Sequence, residues 1–180
     1  MVQSWKHGAT AACTCGRVEI EATGAPIMTT ICYCDDCQAA ARTLEALPGA
    51  PPLLERDGGT SCVMYRNDRI RCSKGAELLK PFRLKEKSPT RRQVASCCNT
   101  PMYMDFDSGP HWIDAYRARF KGEAPPIDMR TCTKFAPAGT VFSDGIPSYS
   151  THSAMFFWKL IAAWIPMLLK PPRKPQPARR

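Results

Sequence analysis

Most of the ten cysteines fall in three tight groups: "CTC" at Cys13 and Cys15, "CYCDDC" at Cys32, Cys34 and Cys37, and "CC" at Cys97 and Cys98. Disulfides, a redox pair and a metal centre all use cysteines this close together, and each asks something different of the chain. Zinc asks for four ligands in a tetrahedron, with thiolates at about 2.3 Å. A Cys-x-x-Cys turn points both sulfurs inward at one ion, and Cys-x-Cys does the same on a bent, extended segment. The clustered cysteines are enough for one ion with four ligands and a second with three. Three protein ligands and an open position is the arrangement of a catalytic zinc. Cys32, Cys34 and Cys37 form the natural three-ligand set because one loop carries them. Cys13, Cys15 and the Cys98 region then form a closed structural site, a clip that contributes folding energy directly.

The compartment argues for metal over disulfide. "MVQSWKHGATAACTCG" has no apolar run of the kind a secretory signal needs, which leads us to expect a cytoplasmic, reduced chain. The net charge of +9 invites a nucleic-acid reading, but Lys170, Arg173, Lys174, Arg179 and Arg180 of the C-terminal tail carry much of it. The rest of the chain has no run of aromatic and basic residues patterned for base stacking, so no nucleic-acid partner is expected.

The elements that must position these groups read as mainly β. "GRVEIEAT" from Gly16 alternates Val18, Ile20 and Ala22 with charged residues, the period-two pattern of a half-buried strand. "IMTTICYC" from Ile27 is a second strand that runs into the cysteine cluster, and "CQAAARTLEALPG" is a short helix after it. "TSCVMYRNDRIRCSKG" predicts a β-hairpin turning at Asn67 and Asp68, and "RRQVASCCNTPMYMDF" a further strand. "HWIDAYRARFKG" predicts a helix with Trp112, Tyr116 and Phe120 on its core face, and the Pro- and Gly-rich stretch after it an irregular segment wrapping the body. The domain expectation is a zinc-binding β domain over 1–110, a helix and wrapping segment over 111–150, an apolar helix over 151–170 and a basic tail over 171–180.

Ala154 to Leu169 is nearly all apolar, broken by Lys159 and Pro166, and is shorter than the roughly twenty residues that cross a bilayer. Thr151 or Ser153 caps its start. Its aromatic residues and the basic tail suit a peripheral membrane contact, and its apolar surface equally suits docking on the domain or a homo-oligomer. Cys62 and Cys72 read as buried strand residues, Cys132 has no visible partner, and His7, His111 and His152 read as surface or cap residues. Asp35 and Asp36 read as solvated turn carboxylates.

The Cys-x-Cys-Gly "CTCG", the Cys-x-Cys-x-x-Cys "CYCDDC" and the Cys-x-Thr-Pro "CNTP" resemble, over roughly residues 8–106, the glutathione-dependent formaldehyde-activating enzymes, the Gfa or CENP-V type. The resemblance implies a mainly β, Mss4-like β-tent fold holding two zinc ions, here with a C-terminal helical extension. It implies a carbon-sulfur lyase that joins formaldehyde to glutathione, a small-molecule thiol being the partner. Cys32, Cys34 and Cys37 match the catalytic zinc ligands, and Cys13, Cys15 and Cys98 the structural ones. The chain departs from the pattern at Ala95, where a cysteine is usual, at Asn99 for glycine, Tyr33 for histidine and Asp35 for serine. Cys97 is a candidate replacement for the ligand missing at 95, although neighbours on a regular strand point to opposite faces. The competing reading is a non-catalytic zinc-stabilised module that works through its C-terminal helix.

Overall fold

The computed structural model describes residues 7–169; residues 1–6 and 170–180, which include the basic tail expected over 171–180, lie outside them. Among the described residues ten strands form two sheets. β1 (Gly8–Ala12), β2 (Glu19–Thr23) and β5 (Ile70–Lys74) make a three-stranded antiparallel sheet in the order β1-β2-β5. The larger sheet runs β10-β3-β4-β9-β8-β7-β6. It is built from β3 (Met28–Cys32), β4 (Thr60–Arg66), β6 (Leu79–Phe82), β7 (Thr90–Ala95), β8 (Thr100–Phe106), β9 (Trp112–Tyr116) and β10 (Met129–Thr131). All its pairings are antiparallel except β10 with β3.

The alternation read from Val18, Ile20 and Ala22 is borne out: all three are buried between the sheets, against Val63, Tyr65, Ala95, Met102 and Ala115 of the larger one. Burying side chains of this size is worth about 1.5–3 kcal/mol each, which holds the two sheets face to face. β4 is buried along nearly its whole length because the large sheet is covered on both faces. Val63 and Tyr65 point to the smaller sheet; Cys62 and Met64 point the other way. On that second face lie the helices α1 (Asp35–Glu45) and α2 (Ala154–Leu169). α1 sets Ala41 and Leu44 against Cys62, Val94 and Tyr116.

Three sequence expectations are corrected. The run predicted as a hairpin contains two strands and a turn, but β4 and β5 belong to different sheets, and the 3-10 turn Asn67–Arg69 carries the chain from one to the other. The predicted helix at residues 111–122 is strand β9 followed by a 3-10 turn at Arg117–Arg119. Trp112, Tyr116 and Phe120 are spaced by four, and four is a multiple of the strand period as well as close to the helical one. Trp112 and Tyr116 accordingly lie on one face of β9, while Phe120, past the turn, stacks on Tyr65 at 6.3 Å. The stretch from Arg91 to Phe106 is two strands, β7 and β8, joined by a turn at residues 96–99.

α2 runs over Ala154–Leu169, and the Ser153 hydroxyl caps it by accepting from the Phe156 N–H at 3.1 Å. Pro166 is accommodated inside the last turn. One face of α2 packs on the domain: Leu160 is buried with Met28, Met64 and Met129, and Lys159 pairs with Asp128 at 3.0 Å. His111 Nε2 donates to the Leu160 carbonyl at 3.0 Å, and its ring stacks with Trp164. The other face, with Met155, Trp158, Ile165 and Leu168, is exposed. Among the described residues no helix is long and apolar enough to cross a membrane.

Candidate metal centres and the chamber beside them

The first centre joins the β1–β2 loop to the β7–β8 turn. The sulfurs of Cys13, Cys15, Cys97 and Cys98 all lie within 4.8 Å of one another. Cys13 to Cys15 is 3.6 Å, Cys13 to Cys97 is 3.8 Å, Cys15 to Cys97 is 3.4 Å and Cys97 to Cys98 is 3.8 Å. A tetrahedron with metal–sulfur bonds of about 2.3 Å has edges of about 3.8 Å, so this donor set fits a closed tetrathiolate site. The expectation that adjacent cysteines point apart holds for a regular strand, but Cys97 and Cys98 sit in a four-residue turn. Asn99 takes a left-handed conformation there, with φ of 50°, and its side-chain amide donates to the Pro48 carbonyl at 2.9 Å. The backbone therefore turns between the two sulfurs and presents both to the same point.

Neighbouring groups temper the charge that four thiolates would bring. The Val18 N–H donates to Cys13 Sγ at 3.2 Å, and Cys98 Sγ lies 3.1 Å from the Thr100 hydroxyl. The Arg17 guanidinium lies beside Cys15 and lowers the pKa of its thiol, while donating to the Cys97 carbonyl at 3.0 Å. Burial opposes ionisation of Cys98, but hydrogen bonds from Thr100 and Thr14 outweigh it and bring the thiol down to about 5. Desolvation and hydrogen bonds with the neighbouring thiols push Cys97 the other way, up to about 12, so a metal bound here would have to displace its proton.

The second centre lies at the end of β3. Cys32 is its last residue, Cys34 is the N-cap of α1 and Cys37 is in the first turn of that helix. Their sulfurs are also within 4.8 Å of one another, a donor set that can hold a metal with one vertex left over. The helix N-terminus favours negative charge at Cys34 and Cys37. Hydrogen bonds from Cys34 and Cys37 hold the Cys32 thiol well below its ordinary pKa, and those two thiols are raised in turn by donating to it.

Other groups are brought near this centre by the fold. The parallel register of β10 on β3 pairs Thr131 with Cys32, which sets Cys132 beside the cluster. Cys132 Sγ is 3.8 Å from Nδ1 of His152, so the residue without a visible partner has one, while His152 itself is exposed, in keeping with its surface reading. No spacing rule links positions 132 and 152 to residues a hundred places earlier; only the β10–β3 pairing does. Asp36 pairs with Lys85 at 3.0 Å, and Asp35 sits in the first turn of α1. Tyr33 turns away from the cluster: its hydroxyl donates to Asp57 at 2.6 Å and accepts from Arg130 at 3.2 Å.

Cys32, Cys34 and Cys37 open on a chamber of about 790 Å³ lying between the large sheet and α2. Met64, Met104 and Trp112 line it from the sheet; Phe156, Leu160 and Trp164 line it from the helix. His152, Asp114 and Arg92 face the same space. Burial raises the Asp114 carboxyl to about 7.

The scaffold is mainly β and carries two cysteine clusters, each of a geometry able to hold a metal ion. Residues 8–49 match the family described as "Glutathione-dependent formaldehyde-activating enzyme". Over that segment, which holds Cys13, Cys15, Cys32, Cys34 and Cys37, the resemblance read from the cysteine spacing is borne out, in divergent form. The crystal structure of a Rhodobacter sphaeroides protein is similar, with 20% sequence identity, coverage of 64% of this chain and 91% of that one, and a TM-score of 0.46. No curated protein matches the chain.

Proposed function

We propose that the protein is a zinc-dependent enzyme of the carbon-sulfur lyase type, acting on the adduct of a small thiol and an aldehyde. The observation that carries this reading is the three-sulfur cluster of Cys32, Cys34 and Cys37 opening on a chamber, inside a segment that matches a formaldehyde-activating family. Zinc held there would lower the pKa of a bound thiol and keep it as thiolate at neutral pH. The four sulfurs of Cys13, Cys15, Cys97 and Cys98 would hold a second zinc with no vertex free, a structural clip.

Cleaving a hydroxymethyl thioether breaks the carbon-sulfur bond, releases an aldehyde and moves the hydroxyl proton off oxygen. Asp114 and His152 both face the chamber and are the groups available to take that proton. A carboxyl with a pKa raised to about 7 suits such a task near neutral pH. The test is to load the protein with cobalt and add glutathione: a change in the thiolate-to-metal absorption that Cys34→Ser abolishes supports the reading. An unchanged spectrum with all small thiols sinks it in favour of a purely structural metal.

A further inference from the structure

We propose that the substrate of the three-cysteine centre carries an apolar chain or ring, which the chamber under α2 receives. The inference rests on reading Cys32, Cys34 and Cys37 as a thiol-binding centre. It starts from what lies beyond those sulfurs. The space continues between Met64, Met104 and Trp112 on the sheet and Phe156, Leu160 and Trp164 on the helix, side chains that offer dispersion contacts and hardly a polar partner.

The cations in the lining are already engaged. Lys85 pairs with the Asp36 carboxylate at 3.0 Å, and Arg92, only 4% exposed, donates to the Asp36 carbonyl at 3.3 Å. A tripeptide thiol such as glutathione brings two carboxylates, and each would lose water in this space with both of those cations already taken. A hydrocarbon or aromatic substituent loses nothing there and gains the burial. The chemistry is the same as above: a hemithioacetal R–S–CH(OH)–R′ gives the thiol and the aldehyde R′CHO, with the hydroxyl proton ending on sulfur. The substituent at R or R′ is what the chamber selects.

α2 is the selecting wall. Its inner face is fixed by the Leu160 packing, the His111 hydrogen bond and the Lys159–Asp128 pair, so the chamber's shape belongs to the folded domain.

The test is calorimetric titration of the full chain with n-alkanethiols from ethanethiol to hexanethiol, with glutathione, and with the matching n-alkanols, which need no metal. The cobalt spectrum is read in parallel. Each methylene should tighten binding about fourfold, with hexanethiol surpassing glutathione. Met104→Trp, which fills the chamber from the sheet side, should abolish the length dependence. Trp158→Ala, on the exposed face of α2, should change nothing. A series flat in chain length, or glutathione bound more tightly than hexanethiol, overturns the inference and leaves the thiol reading standing. Length-dependent binding of the alkanols with no thiol perturbing the cobalt spectrum does the reverse, supporting the apolar selectivity and overturning the thiol reading.

Discussion

Cys13 and Cys97 stand 84 residues apart in the chain and 3.8 Å apart at their sulfurs. The contact joins the small sheet's β1–β2 loop to the large sheet's β7–β8 turn, and it exists because both chain segments bend where their cysteines lie.

Removing either member of the adjacent pair should therefore cost a whole metal ion. Cys97→Ser and Cys98→Ser are each expected to bring zinc content from about two equivalents to about one, as is Cys34→Ser at the other centre. Metal analysis of purified protein decides it; retention of both ions in Cys97→Ser would show that position 97 is not a ligand.

The closed site should matter most for stability. Cys13 is 4% exposed and accepts from the Val18 N–H, whereas Cys15 is exposed. Cys13→Ser is expected to destabilise by on the order of 3 kcal/mol, with Cys15→Ser costing less, and chelation to lower the melting temperature of the native protein. Denaturant melts with and without chelator measure both.

Asp114 makes stability depend on pH. Its native carboxyl keeps a proton up to about 7, while in the unfolded chain it loses it near the usual carboxylate value of about 3.9. Between those values the native state binds more protons, so this group's contribution falls as pH rises, by at most about 1.4 kcal/mol per pH unit. Asp114→Asn should flatten unfolding free energy against pH across this window; an unaltered slope would mean the carboxyl is ionised in the native state.

Tyr33 is expected to serve the scaffold. Its ring is buried, its hydroxyl joins Asp57 to Arg130, and Arg130 reaches on to Asp144 at 2.6 Å. Tyr33→Phe should lower stability by about 1–3 kcal/mol and leave metal content and cobalt spectrum unchanged. Gly59→Ala should be destabilising at the same spot, because a Cβ there would lie 2.8 Å from the Tyr33 ring.

Local patterns that depend on one segment were legible in the sequence. The alternation in β2, the run of β3 into the cluster and the apolar length of α2 needed no partner to be read. Patterns that depend on what pairs with what were not. The turn at Asn67 was visible, but nothing local says that β5 leaves for the other sheet. A spacing of four in Trp112, Tyr116 and Phe120 satisfies strand and helix alike, and only pairing with Tyr65 and its neighbours in β4 decides. The cysteines of the two centres were readable because ligand spacing is local, whereas Cys132, His152 and Asp114 enter the second site through tertiary contact alone.

The turn at residues 96–99 separates where a ligand is written from where it acts. The resemblance implies a ligand at 95, yet Ala95 still pairs with Thr100 and Leu79, and the sulfur comes from Cys97 in the turn. A vertex of the tetrahedron can thus change its address in the chain by two residues without either strand shifting register. Patterns of cysteine spacing describe one route to such a vertex, and a chain that fails the pattern can still complete the polyhedron.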